Sequence, residues 1–364
     1  MDVKRFRPLM TACSPFASVY FEDSHDTEDA AAQLDLKWRE VRDQLARQGA
    51  DDPVIADMER AVYDLQPPIG RSGRAVIADA DGIVLNEHLL RPTATIVRVS
   101  PLPYLVPVVE HGFEFGDYVL VAVDRAGADI TVHIDGALRS ETVDGGGYPV
   151  HKAAGAETAG YGDPQPRTEE AVHKNLRAVA QRVTELADEV AADAVYVVGE
   201  VQARSELLSA LPHRVAERAV TLPVGARHSG HDFTEVQRAI ETDCLTYRLA
   251  ELDAAAQRFA AETGRQSGLA VEGLDAVCAA LNQGAVETLI IGDMGDATVV
   301  ADDALTVAAP NADVLSEHGA PPSHTLRADE ALPIGAISVG ASLVRTDERI
   351  DPADGVGAVL RYAP

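Results

Sequence analysis

The chain has little of what marks several large protein classes. Its 364 residues include three cysteines and one tryptophan, and only 5% are aromatic. Cys13, Cys244 and Cys278 lie far apart, with no CxxC pair and no histidine set beside them. That excludes a zinc finger or a disulfide framework and suits a reducing compartment, each cysteine being expected as a small core residue. No stretch of about 18 apolar residues exists to span a bilayer. The opening "MDVKRFRPLMTACSPFASVYFEDSHD" has a basic head and an apolar run, but Pro8 and Pro15 interrupt it and no small-residue cleavage site closes it. Its "FASVYF" alternates as a strand does, so the expectation is the first strand of a cytoplasmic protein. P-loop, G-x-G-x-x-G turn and G-x-S-x-G elbow are all missing. Positive charge is scarce as well: 31 bases face 58 acids, a net charge of −27, and only Lys4, Lys37, Lys152 and Lys174 are lysines. Nucleic acid repels such a chain as a whole, so DNA is not an expected partner and any RNA contact must be local.

What is present is globular: 46% hydrophobic residues over a length sufficient for two or three cores. The expected fold is α/β and multidomain. Residues 1–116 read as an α+β domain: a strand, the helices "DAAAQLDLKWREVRDQLARQG" and "DDPVIADMERAVYDL", then short strands in "RAVIADADGIVLNEHL" and "ATIVRVSPLPYLVPVVE". Residues 117–231 read as a mixed-sheet α/β domain. A β-meander with Gly127 and Gly136 at its turns is followed by a long loop, 145–167, then the helix "TEEAVHKNLRAVAQRVTELADEV", the buried strand "AVYVVGE" and the helix "ARSELLSALPHRV". Residues 232–364 read as a C-terminal α/β/α sandwich with a long helix from Phe233, a helix ended by Gly284, and strands at "VETLIIGD", "ATVVA", "ALPIGAISVG" and "VGAVLRYA". The three segments carry −7, −6 and −14.

No catalytic signature stands out. "GDMGDATVV" sits between strands, so Asp293, Gly295 and Asp296 read as turn residues. His228, His231 and Asp232 of "RHSGHD" read as a polar linker, since no second cluster joins them to bind metal. No cofactor and no metal are expected. The loop is different, because an irregular stretch of about twenty residues inside a compact domain is uncommon and usually functional or disordered. In "GGGYPVHKAAGAETAGYGDPQPR", Tyr148 and Tyr161 are suited to stack on unpaired bases, and His151, Lys152 and Arg167 to meet phosphates. Residues 171–182 follow with Lys174, Arg177 and Arg182 and no acid, spaced to share a helical face. The eight side chains read as RNA-binding. A solvated helix under a loose loop is the competing reading.

This order of parts resembles the middle domain of the archaeo-eukaryotic peptide-release factors and of Pelota. The features that match are a β-meander, a Gly-rich loop, a helix with a basic face and a strand ending "VVGE". "ALNQGAVETLIIGD" resembles their C-terminal domain. "FASVYFEDSHDT", "GYPVHK" and "GVGAVLRYA" are similar to the bacterial branch of that family, which includes the ribosome-hibernation factor Balon. The resemblance implies a ribosome-binding protein in the A site, its loop near the rRNA of the peptidyl-transferase centre and its N-terminal segment toward the small-subunit decoding region. For the last segment it implies elongation factor Tu or ribosomal stalk-base proteins as partners. Release factors carry Gly-Gly-Gln at the loop tip, whereas here the tip is "AAGAETAG" and Gln165 stands between prolines. Hydrolytic release is therefore not expected, and no residue is assigned a catalytic role. Two alternatives stay open: a peptidyl-tRNA hydrolase or RNA-cleaving rescue factor using His151, His173 or Asp163, and a stress protein acting away from ribosomes.

Overall fold

The computed structural model describes residues 3–25, 27, 29–65, 71–112, 116–134, 137–144, 164–224, 233–305, 307–346 and 349–363. Contacts divide the chain into two compact units, a contiguous one of Glu114–Tyr247 and one built from both chain ends, Met1–Phe113 with Arg248–Pro364.

In the N-terminal part, a 3-10 segment (Val3–Met10) leads to β1 (Phe16–Glu22), followed by α1 (Ala30–Arg47), α2 (Asp52–Asp64), β2 (Gly73–Asp79), β3 (Gly82–Leu89), β4 (Ile96–Ser100) and α3 (Val106–His111). The strands form an antiparallel sheet in the order β3-β2-β1-β4. Strand period two gives β1 two buried faces. Ala17, Val19 and Phe21 meet Leu34, Trp38, Val41 and Leu45 of α1 and Ile55, Met58 and Val62 of α2. Phe16 and Tyr20 join a second core on the opposite face. The sequence "PYLVPVVE", expected as strand, is the helix α3. Pro107 suits its first turn, and its last carbonyls are capped by Arg248, whose Nη2 donates to Val109 O at 2.6 Å and Glu110 O at 3.0 Å.

The contiguous unit contains β5 (Tyr118–Val123), β6 (Gly127–Ile134), β7 (Ala137–Asp144), α4 (Pro164–Glu189), β8 (Ala194–Gly199), α5 (Val201–Ala210), α6 (His213–Ala216) and β9 (Ala219–Thr221). Its sheet runs β7-β6-β5-β8-β9, antiparallel through β7-β6-β5 and parallel through β5-β8-β9. α4 lays Val172, Leu176, Val179, Val183 and Leu186 on Val119, Val121, Ile130 and Val132. The first half of α7 (Phe233–Arg265) covers the other face with Val236 and Ile240 against Leu120, Tyr196 and Val198. At the end of β8, Gly199 has φ +123°, and a Cβ there would lie 2.0 Å from Val123 O. Only glycine fits. α4 begins four residues earlier than the hydrophobic pattern places it, so Gln165 and Arg167 are helical rather than part of a loop.

The C-terminal part adds β10 (Ala270–Glu272), α8 (Leu274–Asn282), β11 (Val286–Ile291), β12 (Thr298–Ala301), β13 (Ala308–Ala309), α9 (Ala312–Glu317), β14 (His324–Arg327), α10 (Ala328–Ser338), β15 (Ser342–Arg345) and β16 (Val356–Leu360). Two sheets result, β10-β16-β11-β15 and β13-β12-β14. α8 and α10 pack on one face of the larger sheet, and Phe259 of α7 packs against Ile290 and Val359. "ALPIGAIS" is thus helix, not strand. Its apolar residues pack on all sides, so no period marks it. Cys278 is buried, but Cys13 is exposed, contrary to the core position expected for it.

The two ends of the chain share one core. Phe6, Tyr20, Ile77 and Leu89 cluster with Val277, Leu281, Leu332 and Leu343. A polar clasp lies beside them. Arg98 of β4 donates to both carboxylate oxygens of Asp329 (3.1 and 3.0 Å) and to Glu330 Oε1 (3.0 Å), with its guanidinium 3.5 Å from the ring centre of Tyr104. Burial pushes the Glu330 carboxyl up, with the Arg98 bond offsetting part of that. The chain is a mixed α/β multidomain protein.

Candidate nucleic-acid interface

α4 is amphipathic, and its polar face carries the described part of the expected RNA site. Tyr148, His151, Lys152 and Tyr161 lie outside the described residues, as do Asp163, His228, His231 and Asp232. Arg167 is placed on α4 by its backbone. Lys174 and Arg177 are exposed, and Arg182 is half-buried. At about 100° per residue, Lys174 sits near the middle of the solvent face, with Arg177 on one flank and Arg182 on the other.

Their electrostatic surroundings differ. Lys174 pairs with Glu170 at 3.4 Å. The Arg182 guanidinium is filled: Nε and Nη2 bond the two oxygens of Glu141 at 2.6 and 2.8 Å, and Nη1 bonds Glu185 Oε2 at 3.1 Å. The Arg182 bond holds the Glu141 carboxyl below the usual range, and those carboxylates in turn raise Arg182. Arg177 makes no ion pair among the described residues. It opens onto a shallow notch of about 370 Å³, lined also by Gln181, Thr184, Asp188 and Arg214. Arg214 is held by Asp188 at 2.7 Å, a bond that lowers the Asp188 carboxyl.

His173 Nδ1 lies 3.5 Å from Glu206 on α5 at the surface. Asn175 is buried under the helix and donates to Arg125 O at 3.2 Å, tying α4 to the β5–β6 turn. Asp293 accepts from Gly295 N at 3.0 Å, as a turn residue does. Among the described residues, no group of three or more His, Cys, Asp or Glu could hold a metal ion, and no helix is long and apolar enough to cross a membrane. Sequence reasoning missed Glu141, Glu185, Arg139 and Arg214. Glu141 is 41 residues from Arg182, and the only hint was the alternation of charges in "LRSETVD" along one strand.

Residues 117–265, which hold the mixed sheet, α4 and α7, match the model of bacterial archaeo-eukaryotic release factor family 2. The chain belongs to that family. It is 48% identical over 364 residues to two Mycobacterium tuberculosis proteins, MT2704 of strain CDC 1551 and Rv2629 of strain H37Rv, covering 100% of this chain and 97% of each of them. Among solved structures it is similar to an archaeal translation termination factor, aRF1 (15% identity, 100% of this chain and 99% of that one, TM-score 0.27). It is also similar to archaeal Pelota in a model of the ribosome-bound protein with ABCE1 (13% identity, 99% and 94%, TM-score 0.40). Both are distant likenesses; the family assignment rests on the family model and the mycobacterial relatives.

Proposed function

We propose that the protein is a ribosome-binding translation factor that occupies the A site of idle ribosomes under stress and reaches toward the peptidyl-transferase centre with residues 145–163, without releasing peptide. What carries this reading is the release-factor family membership of residues 117–265, the stretch that holds both this segment and α4. The acid-free run 171–182 supports it, because Lys174 and Arg177 give a −27 chain a local place to meet rRNA phosphates. Tyr148 and Tyr161 stack on unpaired bases, while His151, Lys152 and Arg167 take backbone phosphates. The last segment, at −14, faces protein rather than RNA, with elongation factor Tu or basic stalk-base proteins as its partners.

Co-sedimentation with bacterial ribosomes over a salt series tests this. The parent chain should bind, and replacing Lys174 and Arg177 together by alanine should flatten the slope of log K against log salt by about 1.5. Absence of binding, or a double variant with the parent's affinity and slope, refutes the reading.

A further inference from the structure

β7 is an edge strand whose described side chains are all exposed or half-buried, so little apolar contact holds it. Its odd-numbered residues turn toward α4, and two ion pairs of opposite polarity cross between strand and helix. Arg182 of α4 grips Glu141 of β7 through both carboxylate oxygens. Arg139 of β7 reaches Glu189 of α4, with Nη1 and Nη2 each 3.3 Å from Oε1. On the other face, Thr142 donates to Asp129 of β6 at 3.0 Å, and Ser140 lies 3.1 Å from Thr131. Arg182 and Glu189 lie in the second half of α4, about 27 and 37 Å along the helix from its start at Pro164, so the two pairs fix β7 there; β7 ends at Asp144, from which the chain continues into residues 145–163.

We infer that Arg182–Glu141 and Arg139–Glu189 form a brace that holds edge strand β7, which leads at Asp144 into residues 145–163, against the second half of α4, and that Arg182 is a positioning residue rather than a phosphate contact. The inference rests on the ribosome-binding reading and deepens it. Charge around Arg182 decides the point. One guanidinium faces two carboxylates, Glu141 and Glu185, so the site is net negative and repels phosphate. A phosphate would also have to displace a two-pronged bond that already matches the guanidinium fork. Arg177, across the helix, carries neither burden. Crossed pairs further resist sliding, since moving β7 along α4 lengthens both together.

The test uses the full chain with Glu141→Gln, Arg182→Gln, both together, and the exchange Glu141→Arg with Arg182→Glu. Hydrogen exchange is read at β7 amides in the free protein, and ribosome affinity is read across salt. Each single change should speed β7 exchange and weaken ribosome binding by a similar factor, roughly three- to tenfold, with the double variant no worse than either. The salt slope should stay at the parent value, and the charge exchange should recover both readouts. Arg182 is a phosphate contact instead if its replacement flattens the slope by about one while Glu141→Gln leaves binding unchanged or tighter. Unaltered β7 exchange in both single variants overturns the brace. A parent chain that does not bind ribosomes would sink the functional reading, while the exchange data would still decide the brace.

Discussion

Arg98→Met tests what holds the two ends of the chain together. The guanidinium is one-fifth exposed, whereas the Glu330 side chain it neutralises is 2% exposed. Methionine keeps the length of the stem but leaves Glu330 without its cation. Breaking a buried pair from one side costs about 3–5 kcal/mol, and the partial exposure of Arg98 lowers the expectation to about 2–4 kcal/mol. The pH dependence has a definite sign. Burial raises the Glu330 carboxyl in the folded state, and losing Arg98 raises it further. A carboxyl whose folded pKa exceeds its unfolded value binds its proton more tightly when folded, so it destabilises the fold as pH rises through that window. The deficit of the variant should therefore be greatest at pH 8 and smaller at about pH 5.5, still above the pI near 4.6. Trp38 makes the assay specific. It is the only tryptophan and is buried in the unit formed by the chain ends, so its fluorescence in urea follows that unit alone. An unchanged midpoint at pH 8 would refute the reasoning, as would an equal loss at both pH values.

Gly199→Ala should unfold the contiguous unit, because the new Cβ meets Val123 O at 2.0 Å; circular dichroism should report the loss while the Trp38 transition stays near the parent midpoint. The chain should not release labelled peptide from programmed ribosomes above background, since it carries no Gly-Gly-Gln, and release well above background would reopen the hydrolase alternative.

Local periodicity made much of the fold readable. β1 alternates, and α1, α2 and α4 repeat apolar residues every three or four positions, so each appears where the pattern puts it except for the first turn of α4, whose Pro164–Arg167 carries no apolar repeat. α10 and α3 were misread for one shared reason. An element buried on several sides, such as "ALPIGAIS", loses its period, and what makes it helical is tertiary: Arg98 on Asp329 and Glu330 in the first turn of α10, Arg248 on the last carbonyls of α3. The first and third segments looked like separate domains because the residues of their common core lie far apart in sequence, as Tyr20 and Leu332 do. For the site, sequence located the bases but not their state. Lys174, Arg177 and Arg182 read alike along the chain, and only the fold brings Glu141 onto one of them.

The core built from both chain ends has a consequence during synthesis. Phe6, Tyr20, Ile77 and Leu89 leave the ribosome early, but Leu332 and Leu343, which cover them, come about 240 to 340 residues later. At about 5–20 residues per second that delay is on the order of tens of seconds. The contiguous unit, complete once Tyr247 has emerged, is free to fold within that interval. Meanwhile the first sheet holds an uncovered apolar face, as a client for a holding chaperone. Ribosomes stalled at about residues 290 to 330, with Tyr247 already outside the exit tunnel, should therefore display nascent chains with a protease-resistant middle and a sensitive, chaperone-bound N-terminal part.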